Sequence, residues 1–160
     1  MRLPSIVGLF VLVLSLAACD AQEQQDRFAD EASALPKNFT ETTIDGEVVT
    51  ADPDDWRTSP VYRGHLTVDP AFPNPVSSTF VSISLTVTGF DAVRGGGLTL
   101  RAYGQDGRTL IALDETLFVT GPGAYDFRFS PGALVTKGLH RVFIFDLTGE
   151  IVSYGDVMVE

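Results

Sequence analysis

The chain has 160 residues, with 21 acidic against 11 basic side chains and a formal charge of −10. That length suits one domain, and 44% hydrophobic with 20% charged residues excludes wholesale disorder. The acidic balance argues against nucleic acid as a partner, because that affinity comes from Lys and Arg neutralising phosphates. A single Cys excludes an intrachain disulfide and a multi-Cys zinc site.

The chain opens with the basic Arg2, an apolar run from Ile6 to Leu14 and the small residues Ala17 and Ala18. This is the layout of a secretory signal peptide, and the apolar run is shorter than the ~20 residues of a spanning helix. Leu16-Ala17-Ala18-Cys19 resembles the lipobox of bacterial lipoproteins. The resemblance implies cleavage between Ala18 and Cys19 and a diacylglycerol carried on the Cys19 sulfur. Residues 1–18 are then a lipoprotein signal peptide, and the membrane is a partner through the amino-terminal lipid. Each buried methylene of such a lipid contributes ~0.8 kcal/mol, so two or three chains anchor stably where one does not.

Asp20 to Asp55 carries 11 acids against two bases, Arg27 and Lys37. Up to Phe39 it has few large apolar residues, too few to offset chain entropy. Residues 19–55 are therefore expected to be the lipidated Cys and a disordered, flexible acidic tether. A short helix over Glu23–Ala34 would be marginal alone. Asp45-Gly46, between apolar residues, signals a small hairpin.

From Trp56 onward the pattern changes to period two. Val81 to Thr88 alternates aliphatic with hydroxyl residues and Tyr125 to Phe129 alternates aromatics, which places apolar side chains on one face of a strand. Further strands are expected at Tyr62–Val68, Leu98–Tyr103, Thr109–Asp114, Thr116–Val119, His140–Phe145, Ile151–Tyr154 and Val157–Val159. Turn signals fall between them, at Gly95-Gly96-Gly97, Asp106-Gly107, Pro131-Gly132, Thr148-Gly149 and Gly155 among others. Many short alternating strands with such spacing indicate an all-β fold. The expectation is an antiparallel, immunoglobulin-like β-sandwich of about 7–8 strands over residues 56–160.

Two segments, Leu98–Leu110 and His140–Val152, share a plan of strand, aromatic residue, short connection ending in Gly, and strand. Together with Phe72-Pro73-Asn74-Pro75, they resemble the carboxy-terminal sorting domains of type nine secretion cargo. Those domains are sandwiches that open on a Tyr/Phe-Pro-Asn-Pro motif. The resemblance implies a sandwich from a Bacteroidota-like envelope, with sorting or surface attachment as the alternative function.

Chemistry-bearing motifs are few. His65 and His140 lie in expected strands outside any motif. No Gly-x-Ser-x-Gly elbow is present, and Arg94-Gly95-Gly96-Gly97 lacks the Gly-Lys-Ser/Thr ending of a phosphate loop. Asp52-Pro53-Asp54-Asp55 offers oxygens of the kind calcium takes, but its spacing fits no EF-hand, and a solvated turn explains it better. Trp56 has two readings, a ring for ligand stacking and a plug on the first strand. These observations lead to a non-catalytic, lipid-anchored envelope protein with no cofactor and no metal. It would present its sandwich to an envelope protein partner, on the periplasmic or surface side of the outer membrane.

Overall fold

Period-two alternation becomes sheet wherever one face can be buried. A computed structural model describes residues 22–77, 79–89, 92–134 and 136–160. The chain divides into two compact units, Met1–Ala34 and Leu35–Glu160. Cys19, Ala18 and the rest of the expected signal peptide lie outside the described residues.

In the first unit, residues 22–33 form a helix, α1. Gln25, Phe28 and Ala32 are buried, a spacing that puts them on one helical face. On the exposed side Arg27 pairs with Glu23 at 2.6 Å, and Gln22 donates to Asp26 Oδ1, both one turn apart. Pro36 follows the helix end, as its restriction of the preceding residue favours. Within the stretch expected to be a flexible tether, the short helix considered over Glu23–Ala34 is present.

The second unit is an antiparallel β-sandwich. Its wide sheet has the order β3 (Arg57–Thr58), β11 (Ile151–Val159), β10 (Gly138–Asp146), β6 (Gly97–Tyr103) and β7 (Leu110–Ala112). A two-residue strand, β8 (Leu117–Phe118), also pairs with β6. The narrow sheet is β4 (Leu66–Val68), β5 (Val81–Val87) and β9 (Gly123–Phe129). A separate hairpin joins β1 (Glu41–Thr42) to β2 (Val48–Thr50), its turn closed at Gly46 with φ of 86°.

Seven of these strands, β4 to β7 and β9 to β11, make up the body of the sandwich. On β5, Val81, Ile83, Leu85 and Val87 are buried while the intervening hydroxyl residues are not. They meet Leu98, Leu100, Val142, Ile144 and Val152 of the wide sheet in one hydrophobic core. Each such side chain removed from water contributes ~1.5–3 kcal/mol.

Three expectations are corrected. Ile151–Tyr154 and Val157–Val159 are one unbroken strand, so Gly155 marks no turn. A Cβ built on Gly155 would overlap the Trp56 indole, and the glycine is there to admit that ring. Tyr62–Val68 is strand only from Leu66, because Ser59 to His65 turns back through Tyr62 N–H to Ser59 O and His65 N–H to Tyr62 O. The boundary expected between Asp55 and Trp56 cuts through a hydrogen-bonded unit, since Thr40 to Asp55 is bonded into the sandwich.

Candidate functional site

Asn74, in the middle of Phe72-Pro73-Asn74-Pro75, is completely buried. Its side-chain amide donates to Thr40 O and to Asp156 O, both at 2.9 Å, and its Oδ1 accepts from Met158 N–H at 2.9 Å. Its backbone meets Thr42: Thr42 N–H donates to Asn74 O at 2.7 Å. An Asn has a donor group and an acceptor on one planar amide, so a single side chain joins the segment before β1 to two residues of β11. The motif is extended by Phe72 bridging Ser82 and Val76 bridging Val159. Both of its X-Pro bonds are cis.

Asp55 continues the network. Its Oδ2 accepts from Thr40 N–H at 2.7 Å and its Oδ1 from Asp156 N–H at 2.9 Å. Burial pushes its carboxyl up to about 7, with the nearby Asp156 charge adding to the rise and the Thr40 N–H opposing it. Asp156 is held by Arg141 on the neighbouring strand through two bonds, Nε to Oδ1 at 2.8 Å and Nη2 to Oδ2 at 2.7 Å. Both side chains of this pair are almost fully buried. The Arg141 guanidinium also lies 4.8 Å from the Tyr154 ring centre, within cation–π range.

A second polar cross-link sits at the far end of β10. Tyr62 donates its hydroxyl to Asp146 Oδ2 at 2.5 Å. Asp146 Oδ1 accepts from Thr148 and Glu150 N–H and closes the β10–β11 turn. Burial opposes its charge, but these hydrogen bonds hold the Asp146 carboxyl below the usual range. The Tyr62 phenol is raised by burial and by the Asp146 charge. Asp106 plays the same part in the β6–β7 turn: the Thr109 hydroxyl donates to its Oδ2 and the Thr109 and Arg108 N–H groups to its Oδ1, which together hold it at about 2. The likeness of the two hairpins is therefore turn chemistry: an Asp accepting backbone N–H groups beside a glycine of positive φ.

Of the expected site residues of the Phe72–Pro75 motif, the structure bonds Asn74 into this network and pairs Phe72 with Ser82 beside it. Trp56 is 4% exposed and packed in the core. His65 is exposed, and its carbonyl accepts from Thr88. His140 Nε2 lies 2.8 Å from Thr136 O. Among the described residues, no group of three or more His, Cys, Asp or Glu side chains is placed to hold a metal ion.

The surface carries one opening beside the network. A cavity of about 380 Å³ is bordered by Phe39, Leu139 and Met158, with Glu41, Thr50 and Asp52 among its other walls. The hairpin leads away from it with Ile44 61%, Val48 50% and Val49 60% exposed. The partnership of Arg141 with Asp156 was not legible in the sequence: the residues are 15 apart, and only the β10–β11 register sets them opposite.

No protein-family model, curated protein or solved structure matches the chain.

Proposed function

We propose that the chain is a lipid-anchored cell-envelope protein whose β-sandwich is a non-catalytic interaction domain. Cys19 behind Leu16-Ala17-Ala18 supports the anchor. The observation that carries the domain's role is the use to which its buried polar groups are put. Asn74, Asp55, Asp156, Arg141, Tyr62 and Asp146 each bond across from one segment to another. A catalytic group needs a free lone pair or proton facing a substrate; these face strands. Large apolar side chains stand outside instead, on the β1–β2 hairpin above all, as contact residues do.

The test has two parts. Mass spectrometry of the amino-terminal peptide from cells should find Cys19 acylated, and Cys19→Ala should move the protein out of the membrane fraction. A photo-crosslinker placed at Val49 in the intact envelope should give a discrete protein adduct. An unmodified peptide beginning at Ala21 or beyond would overturn the anchor.

A second reading, sorting or surface attachment of the type nine kind, is favoured by one observation, the Phe72–Pro75 motif between β4 and β5 of the sandwich. A reporter fused to residues 1–34 separates the two. Surface display of that reporter without Leu35–Glu160 would remove sorting from the sandwich.

A further inference from the structure

Thr42 sits opposite Val48 in the β1–β2 hairpin, and its N–H and C=O turn away from β2 to bond Asn74. In an antiparallel pair, directly opposed residues share one orientation; the register shift of this hairpin falls on the next step, between Glu41 and Thr42, and leaves Val49 unopposed. The Val48 N–H and C=O therefore face away from β1, and no described backbone group takes them up. All three residues of β2 are exposed. An uncapped edge with apolar side chains is a template for another strand. The contrast lies on the narrow sheet, where the β9 edge is closed at Arg128 N–H by the Asp114 carboxylate at 2.7 Å.

We propose that the β2 edge is a docking site for an extended polypeptide segment of a partner, apolar on one face and basic at its flanks, which adds as a third strand. This rests on the interaction-domain reading and names the mode and chemistry of the partner. Thr50 ends β2 and also borders the cavity of Phe39, Leu139 and Met158. A side chain two residues along the added strand from the one bonded to Val48 lies about 7 Å further on the same face. It reaches that cavity as an apolar anchor. Main-chain bonds supply affinity and the pocket supplies selectivity, the division found in strand addition generally.

Charge selects the occupant. Residues 37–57 hold six acids against two bases, Lys37 at the cavity rim and Arg57, with Asp45 and Glu47 exposed on the hairpin itself. A second copy would set acid against acid across the new pair, which destabilises a strand pairing. An anionic lipid surface would repel the same residues.

The probe is a fluorescent heptapeptide, Lys-Phe-Lys-Val-Lys-Val-Lys, titrated into the full chain by anisotropy. Its controls are the same peptide N-methylated at alternate amides and the Glu counterpart of the Lys peptide. Both controls should bind at least tenfold more weakly, and hydrogen exchange with the Lys probe should slow at Val48–Thr50. Val48→Pro removes the outward N–H and should weaken the probe at least tenfold. Should that variant disturb the hairpin, the double change Asp45→Lys with Glu47→Lys keeps the backbone and should reverse the preference toward the Glu peptide. Equal binding of the N-methylated probe overturns the proposal, as does protection confined elsewhere. Concentration-dependent dimerisation lost in Val48→Pro gives the edge to a second copy and also overturns it. Failure of the probe with Cys19 acylated and envelope adducts formed away from Val49 removes the hairpin site alone. An unacylated Cys19 removes the envelope reading and leaves the peptide result standing.

Discussion

The indole of Trp56 occupies the volume that a side chain at Gly155 would need, on the core side of β11. Trp56 holds this place with φ of 58°, a backbone conformation unusual for a bulky residue, and with its backbone N–H donating to Tyr154 O at 2.7 Å. Ring and glycine are one packing unit. We expect Gly155→Ala to destabilise the fold by about 3 kcal/mol through overpacking and Trp56→Ala by ~3–5 kcal/mol through the cavity left. In the double variant the two costs should fall short of their sum by more than ~1 kcal/mol, because the methyl enters the space vacated. Urea unfolding of the four proteins measures this; strict additivity would show that the two residues are not coupled.

Removal of the Asn74 amide leaves two buried carbonyls and one buried N–H without their partner. Asn74→Leu should cost about 2–4 kcal/mol on the usual penalty for unsatisfied groups. Asn74→Asp retains the acceptor for Met158 but neither donor, so it should not rescue. The Met158 amide, whose acceptor is removed, should exchange faster in Asn74→Leu than in the wild type, while the Thr42 amide, bonded to the Asn74 backbone carbonyl, keeps its partner; native-state hydrogen exchange reads both directly.

Asp55 gives a pH dependence whose sign follows from its environment. A carboxyl raised to about 7 in the fold, against about 3.9 in the unfolded chain, binds more protons folded than unfolded between those values. Stability contributed by this group is therefore present below pH 4 and is lost as pH rises to 7. Asp146 and Asp106 are lowered and act in the opposite sense, below pH 4. We expect the urea midpoint to fall between pH 4 and pH 7, and Asp55→Asn to flatten that fall. A wild-type midpoint that rises over this interval would show that Asp55 stays ionised throughout.

Tyr62→Phe deletes one hydrogen bond to a charged acceptor and little volume. The expected cost is ~1.5–3 kcal/mol. With that donor gone the Asp146 carboxyl should titrate at higher pH, which carboxyl-carbon NMR follows. An unchanged Asp146 titration would assign its low value to Thr148 and Glu150 alone.

The sandwich was legible because strands such as Val81–Val87 bury every second residue, and period two survives any arrangement of partners. Asp106-Gly107 and Thr148-Gly149 were legible as turns because their chemistry is local. Gly155 misled because a mid-strand glycine and a turn glycine look alike in a sequence; the residue that decides between them, Trp56, lies 99 positions away. The acidic stretch before Trp56 was read by its average, and an average conceals that Thr40, Thr42 and Asp55 are the residues with buried partners. Phe72-Pro73-Asn74-Pro75 was visible as a motif, but its work was not, since Thr40, Asp156 and Met158 join it only through the fold.

The bonds around Asn74 also set how the second unit bears load. Tension drawn along the chain toward Leu35 meets Thr40 and Thr42 first, whose backbone groups are tied to Asp55 and Asn74. Those two residues hand it to Asp156 and Met158 of β11, a strand bonded along its length to β10. A pull on that end is thus spread over the widest sheet as shear before any single sandwich strand can peel.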